Sequence, residues 1–120
     1  MDVNLHFVKS LMDVTAERHH VLANNLANVN TPGYVRKDLL FKDAMQSALA
    51  QGTASGFQSL QTELIEDNSA PARPDGNNVS TQLELGEMTE NEMLYRVSTR
   101  VMSSKIAQLK KVISSSTGSQ

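Results

Sequence analysis

Two stretches of helical periodicity, one near each end of the chain, constrain this fold more than any other feature. From Leu5 the positions Leu5, Val8, Met12, Thr15, His19, Leu22, Leu26 and Val29 recur every three or four residues. That spacing predicts an amphipathic helix of about 25 residues, roughly 37 Å long at 1.5 Å per residue. It stops at Asn30-Thr31-Pro32-Gly33, where proline pushes its predecessor out of helical geometry and glycine permits a turn. Near the other end, Met88, Tyr95, Met102 and Leu109 lie seven apart, flanked by Leu94, Val97, Val101, Ile106, Val112 and Ile113. The second helix begins near Thr81, where Thr81-Gln82-Leu83-Glu84 fits a capping box; Gly86 weakens that start, and Thr89-Glu90-Asn91-Glu92 offers a later box. The Ser-rich tail from Ser114 is expected to fray.

Between the helices the composition changes. Phe41, Ala44, Met45, Ala48 and Leu49 suit a short helix, and Tyr34 to Phe41 reads as extended or irregular. From Gln51 to about Ser80, Gly52, Gly56, Pro71, Pro74 and Gly76 interrupt any pattern, and only Phe57–Ile65 suggests a short strand. The fold class is therefore mainly α: two terminal amphipathic helices paired as an antiparallel hairpin or coiled coil, with an irregular middle. The segments divide as 1–33, 34–80 and 81–120.

Composition narrows the function. The chain holds no Cys, which removes disulfides, thiolate metal sites and a cysteine nucleophile. Leu, Ile, Val and Phe make up 29 of 120 residues and there is no Trp, so little is available for a compact core. Burial by partners is the expected supplement. The first fifteen residues contain Asp2 and Asp13 without a basic start and apolar run, so no cleavable secretory signal is expected. No apolar stretch approaches membrane-spanning length. The net charge of −2 provides no global attraction to nucleic acid.

Candidate chemistry is thin. Glu17-x-x-His20 places a carboxylate and an imidazole on one helical face, with Asp13 in line, but di-iron bundles need two such motifs and two more glutamates. This face reads as solvated, and we assign no catalytic, cofactor or metal residue. The basic run from Arg96 to Lys111 follows Glu84, Glu87, Glu90 and Glu92, an order that complements the helix dipole rather than forming a nucleic-acid patch. The unusual feature is Asn24, Asn25, Asn28 and Asn30. Asparagine is a mediocre helix former, so the cluster either caps the first helix or fixes register through buried amides. Residue patterning leaves those two roles open.

The run from Ala23 to Tyr34, Ala-Asn-Asn-Leu-Ala-Asn-Val-Asn-Thr-Pro-Gly-Tyr, resembles the N-terminal signature of the axial rod and hook proteins of the bacterial flagellum. Asp75-Gly76-Asn77-Asn78-Val79, followed by Glu84, Met88, Asn91 and Tyr95, is similar to the short proximal-rod members of that family. The resemblance implies a non-enzymatic subunit of the basal-body rod, exported without signal cleavage and assembled into a helical tube across the periplasm. It implies contact with other rod subunits, the small adaptor FliE, the membrane-embedded ring and the export apparatus, and no nucleic acid or small-molecule substrate. Its assembly and packing residues would be Leu22, Asn24, Asn25, Leu26, Asn28, Asn30, Pro32, Gly33 and Tyr34, with Met88, Tyr95, Met102 and Leu109. A small helical adaptor or export chaperone, binding one partner helix in a groove, is the alternative.

Overall fold

A computed structural model describes residues 3–52, 56 and 60–118. Helix α1 spans Val3–Ala27, strand β1 Lys37–Leu40, helix α2 Lys42–Gln51, strand β2 Glu63–Glu66, and helix α3 Thr81–Gly118. The two long helices pack together as an antiparallel hairpin: Asn91 of α3 meets Thr15, and Glu84, one end of α3, meets Asn25 at the far end of α1. β1 and β2 form an antiparallel ribbon with Leu39 opposite Leu64 and Asp38 opposite Ile65. The expected middle strand is thus β2, Glu63–Glu66; the Phe57–Ser59 part of that expectation lies outside the described residues.

The apolar residues of α1 are divided between two neighbours. Phe7, Leu11 and Val14 pack with Leu39, Phe41, Met45 and Leu60 into a small core beneath β1 and α2. Leu22 is fully buried, which stabilises the hairpin by about 1.5–3 kcal/mol. Thr15 and Ser98 are buried too, because each returns its hydroxyl to its own helix: Thr15 Oγ1 donates to Leu11 O at 2.8 Å and Ser98 Oγ to Leu94 O at 2.7 Å. His19, although in the predicted stripe, is exposed.

The helix ends follow local chemistry. α1 stops at Ala27, before the predicted Asn30 stop, and Asn28 Nδ2 donates back to Asn24 O at 2.8 Å. α3 does begin at Thr81, but its cap is Ser80: Ser80 Oγ accepts from Leu83 N at 3.3 Å. No capping box forms at Thr81, because the Glu84 carboxylate is engaged elsewhere. Helix α3 continues through Gly86 and through the Ser-rich tail to Gly118, where Thr117 Oγ1 bonds Ile113 O and Ser114 O at 3.1 Å each.

α3 outlasts its partner. At 38 residues it is about 57 Å long against about 37 Å for α1. The molecule measures 73 × 25 × 14 Å with a radius of gyration of 18.8 Å, against about 14 Å for a compact domain of this length. Among the described residues, no helix is long and apolar enough to cross a membrane.

Candidate functional site

The base of the hairpin is closed by a polar clasp rather than an apolar core. Thr31-Pro32-Gly33-Tyr34 makes a tight turn, with Tyr34 N donating to Thr31 O at 3.2 Å. Pro32 sets the first central φ and Gly33 takes φ +75°, as a type II turn requires. A second turn, Arg73-Pro74-Asp75-Gly76, lies against it: Gly33 N donates to Asp75 O at 2.8 Å. A Cβ on Gly76 would sit 3.3 Å from Gly33 Cα, so the two glycines allow the turns to abut.

Asparagines sew these turns to α1. Asn77, fully buried, donates from Nδ2 toward Asn28 O at 2.9 Å, Val29 O at 3.1 Å and Thr31 O at 2.8 Å. Its Oδ1 accepts from Val79 N at 2.7 Å. Arg73 adds bonds to Val79 O and Val29 O. The orphan carbonyls beyond the last turn of α1 are thereby satisfied by side chains some 45 residues later.

Asn25 and Asn78 hold the chain as it enters β1. Asn25 Nδ2 donates to Lys37 O at 2.7 Å, and its Oδ1 accepts from Lys37 N at 2.9 Å. The same Oδ1 accepts from the Tyr34 hydroxyl at 3.1 Å. Burial and the charge of Glu84 raise the Tyr34 phenol's pKa against the hydrogen bond from Asn24, so the hydroxyl keeps its proton to donate. Asn78 Oδ1 accepts from Arg36 N at 2.7 Å while its Nδ2 donates to Asp67 O at 2.7 Å.

An ion network occupies the centre. Arg36 is 2% exposed and Glu84 is completely buried. Arg36 Nε donates to Glu84 Oε1 at 2.6 Å and Nη2 to Oε2 at 3.3 Å; Nη1 donates to Asp67. Arg18, also buried, forks onto Asp38 at 3.0 and 3.2 Å and reaches Glu87 Oε2 at 2.6 Å. Asp38 in turn lies 3.7 Å from Arg36, linking the two arginines. Burial works to raise Asp38, but bonds from Arg18 and Leu39 N and both arginine charges hold its pKa below normal. Asp67 is lowered by the hydroxyl and N–H of Ser69, against some burial, with Arg36 adding to the effect. Burial opposes the charge on both guanidinium groups, yet their carboxylates raise them above the ordinary arginine value.

The four asparagines are placed differently. Asn28 caps α1, Asn25 fixes the register of α1, β1 and α3, Asn24 bonds Tyr34 at 3.2 Å, and Asn30 is exposed. Pro32, Gly33 and Tyr34 form the turn; Leu22 is buried and Leu26 half-buried. The α3 residues are placed otherwise. The positions of α3 buried at the hairpin are Glu84, Asn91 and Ser98, a heptad of polar residues. Met88 and Met102 are half-buried beside it, Tyr95 borders the groove between α1 and α3, and Leu109 stands 52% exposed. Arg36, Asp67, Arg18, Asp38 and Asn77 did not emerge from periodicity, because their partners across the clasp lie 20 to 69 residues away in sequence. Glu17 and His20 are exposed and Asp13 pairs with Lys9 at 3.6 Å.

Beyond the clasp, α3 carries apolar side chains outward. Met93, Val97, Ile106, Leu109, Val112 and Ile113 are all exposed, and residues 106–117 are exposed without interruption. An apolar face of this extent on a helix end lacks cover among the described residues.

The chain is similar to known proteins along most of its length. The family model for the flagella basal body rod protein matches residues 12–34, the stretch that runs from mid-α1 through the Pro-Gly turn. The flagellar basal body rod protein FlgB of Aquifex aeolicus is 31% identical, the alignment covering 92% of this chain and 91% of that one. FlgB of Aeromonas hydrophila is 32% identical over 85% and 86% of the two chains, and FlgB of Escherichia coli 26% over 96% of each. A family model that matches the Asn-rich turn, with relatives more than 30% identical over nearly the whole of both chains, places this chain in the flagellar basal body rod protein family.

Proposed function

We propose that this chain is a structural, non-catalytic subunit of the flagellar basal-body rod. Copies of it join other rod subunits in a helical tube that crosses the periplasm, surrounds the export channel and transmits torque. The observation that carries this reading is the uncovered apolar length of α3, with Leu109 at 52% and Ile113 at 63% exposure on a helix that projects past α1. Such a face gains stability only when a neighbour covers it, at about 25 cal/mol per Å² of apolar surface.

The sparse core suits delivery through the flagellar export apparatus without a cleaved signal. Glu84, Asn25, Asn77 and Asn91 are among the largest fully buried side chains. A chain whose interior is this polar unfolds for threading at small apolar cost and regains order as neighbours add their surface. FliE and the membrane-embedded ring are its expected contacts at the base of the rod.

Leu109→Asp tests the reading. The substitution places a charge on the uncovered face, so incorporation into isolated basal bodies and swimming are expected to fall to background. The soluble subunit should melt nearly as the parent does, because the residue is 52% exposed and stands on the overhang. Normal motility with Asp at this position would remove α3 from the assembly surface.

A further inference from the structure

Of the aspartates in the chain only Asp75 is followed by glycine, and no asparagine is. An aspartate before glycine is chemically unstable along the main chain, because a residue without Cβ lets its amide nitrogen swing onto the preceding carboxyl. The sequence places that pair in the turn on which the clasp closes. Asp75 is exposed, so water reaches it, while Asn77 just beyond it is fully buried.

The closed clasp holds both reacting groups in other bonds. Gly76 N donates to Arg73 O at 2.8 Å, which keeps its proton engaged. Asp75 Oδ1 accepts from Asn77 N at 3.0 Å and lies 3.7 Å from Arg73 Nε. Asp75 O accepts from Gly33 N at 2.8 Å, and a Cβ on Gly76 would sit 3.3 Å from Gly33 Cα. Asn77, next along, is anchored to three carbonyls beyond the end of α1. Rotation about Asp75 breaks these bonds, so the reaction waits on opening of the clasp and its rate follows the open fraction.

We propose that Asp75 is a site of spontaneous conversion to isoaspartate, which the closed clasp suppresses and which prevents closure once it has occurred. In the open chain the Gly76 nitrogen gives up its proton and attacks Cγ of the protonated Asp75 carboxyl. A C–N bond forms, and one carboxyl oxygen leaves with both protons as water, giving a cyclic succinimide. Water then adds to the carbonyl on the Cα side and breaks its bond to the same nitrogen. One water is lost and one gained, so neither oxidant nor cofactor is required. The main chain now runs through Cβ and Cγ, longer by one C–C bond of about 1.5 Å. The carbonyl that met Gly33 N becomes part of a free carboxylate, and Asn77 is displaced from Asn28, Val29 and Thr31. Time spent with the clasp open therefore marks a subunit, and a marked subunit cannot rebuild the base of its hairpin.

The full-length chain, kept near neutral pH in buffer and in concentrated urea, provides the test. Electron-transfer fragmentation of its peptides separates the two isomers by the main-chain bond that breaks. Isoaspartate at position 75 should accumulate at least tenfold faster in urea than in buffer. Asp75→Glu should yield no such product, since the longer side chain closes its ring poorly. Asn77→Ala should raise the rate in buffer severalfold, and Glu63→Gln, on the exposed part of β2, should leave it unchanged. After return from urea to buffer, the modified fraction should exchange the amide hydrogens of Gly33 and Val79 without protection. Equal rates for the parent in buffer and urea, or an Asn77→Ala rate equal to the parent's, would overturn the protection. Absence of isoaspartate in urea would remove the site. Native exchange at Gly33 N in the modified fraction would overturn the block on closure.

Discussion

The two ends of helix α3 obey opposite rules. Its first turns bury charge and amide groups and satisfy them within the chain, through Arg36, Arg18 and Asn25. Its last turns expose Leu, Val and Ile to water. In an ordinary domain these assignments are reversed. The contrast separates two tasks. A polar interior with directional bonds specifies one geometry for the hairpin base, while the unspecific apolar end is reserved for whatever the assembled state supplies. If that division is real, changes in the clasp should cost stability in the isolated subunit, and changes on the overhang should not.

The largest cost is expected at Arg36. Arg36→Ala leaves Glu84 charged and without solvent at the centre of the clasp, a loss of about 3–5 kcal/mol when one member of a buried pair is removed. That is a large share of the roughly 5–15 kcal/mol of a typical domain, so urea should unfold the variant far earlier. The double variant Arg36→Met, Glu84→Leu sharpens the point. If the pair provides geometry more than energy, the double change regains most of the stability yet loosens the register of β1 on α1. Hydrogen exchange at Lys37 N, held in the parent by Asn25 Oδ1, reads that loosening. Full recovery of both would mean that the charges specify nothing.

Asn77→Ala comes next. It removes the donor shared by Asn28 O, Val29 O and Thr31 O and the acceptor for Val79 N, so a loss of about 1–3 kcal/mol is expected. Faster exchange should be confined to the two turns, leaving the Val14–Phe41 core unchanged. Uniform destabilisation would show that clasp and core melt as one unit.

These residues also mark the limit of what patterning shows. Helices α1 and α3, α2 and the breakers at Gly33, Gly52 and Gly76 are all visible in local spacing, because helix periodicity and turn chemistry act over a few residues. The clasp is not local. Glu84 has the spacing of a capping residue and Arg36 sits in an unremarkable extended stretch; only the folded chain brings them together across 48 positions. The apolar heptad Met88, Tyr95, Met102 and Leu109 drew attention to one stripe of α3, yet the hairpin buries the adjacent polar one at Glu84, Asn91 and Ser98. Periodicity identifies that a face will be covered and is silent on whether the cover comes from the same chain.

Acid should weaken the clasp gradually. Asp38 and Asp67 have folded pKa values below their unfolded values, so the folded state binds fewer protons as pH falls. Their contribution is complete above the unfolded carboxylate value of about 4 and is lost as pH falls through that value and then the folded ones. Urea midpoints should be flat between about pH 5 and 8 and decline below 4, with a shallower decline in Asp67→Asn. Stability that rises on acidification would show that the excess of carboxylates over arginines, not their pairing, dominates the base.

Gly86 supplies the smallest effect and the only expected gain. It lies inside α3, two residues after Glu84, and a Cβ there would meet nothing within 4 Å. Its backbone shows no left-handed conformation that would demand glycine. Packing and geometry thus give no reason for it, and Gly86→Ala should stabilise the isolated subunit by roughly 0.5–1 kcal/mol through helix propensity. The place is telling all the same, because it lies between the clasp residues Glu84 and Glu87 and ahead of the long outward-facing stretch. If the variant melts higher and still assembles, the division between the ends of α3 needs no flexibility at their junction. If it melts higher and assembles poorly, the helix must bend at Gly86 as neighbours cover its far end, and the two ends are joined by a hinge rather than a rigid rod.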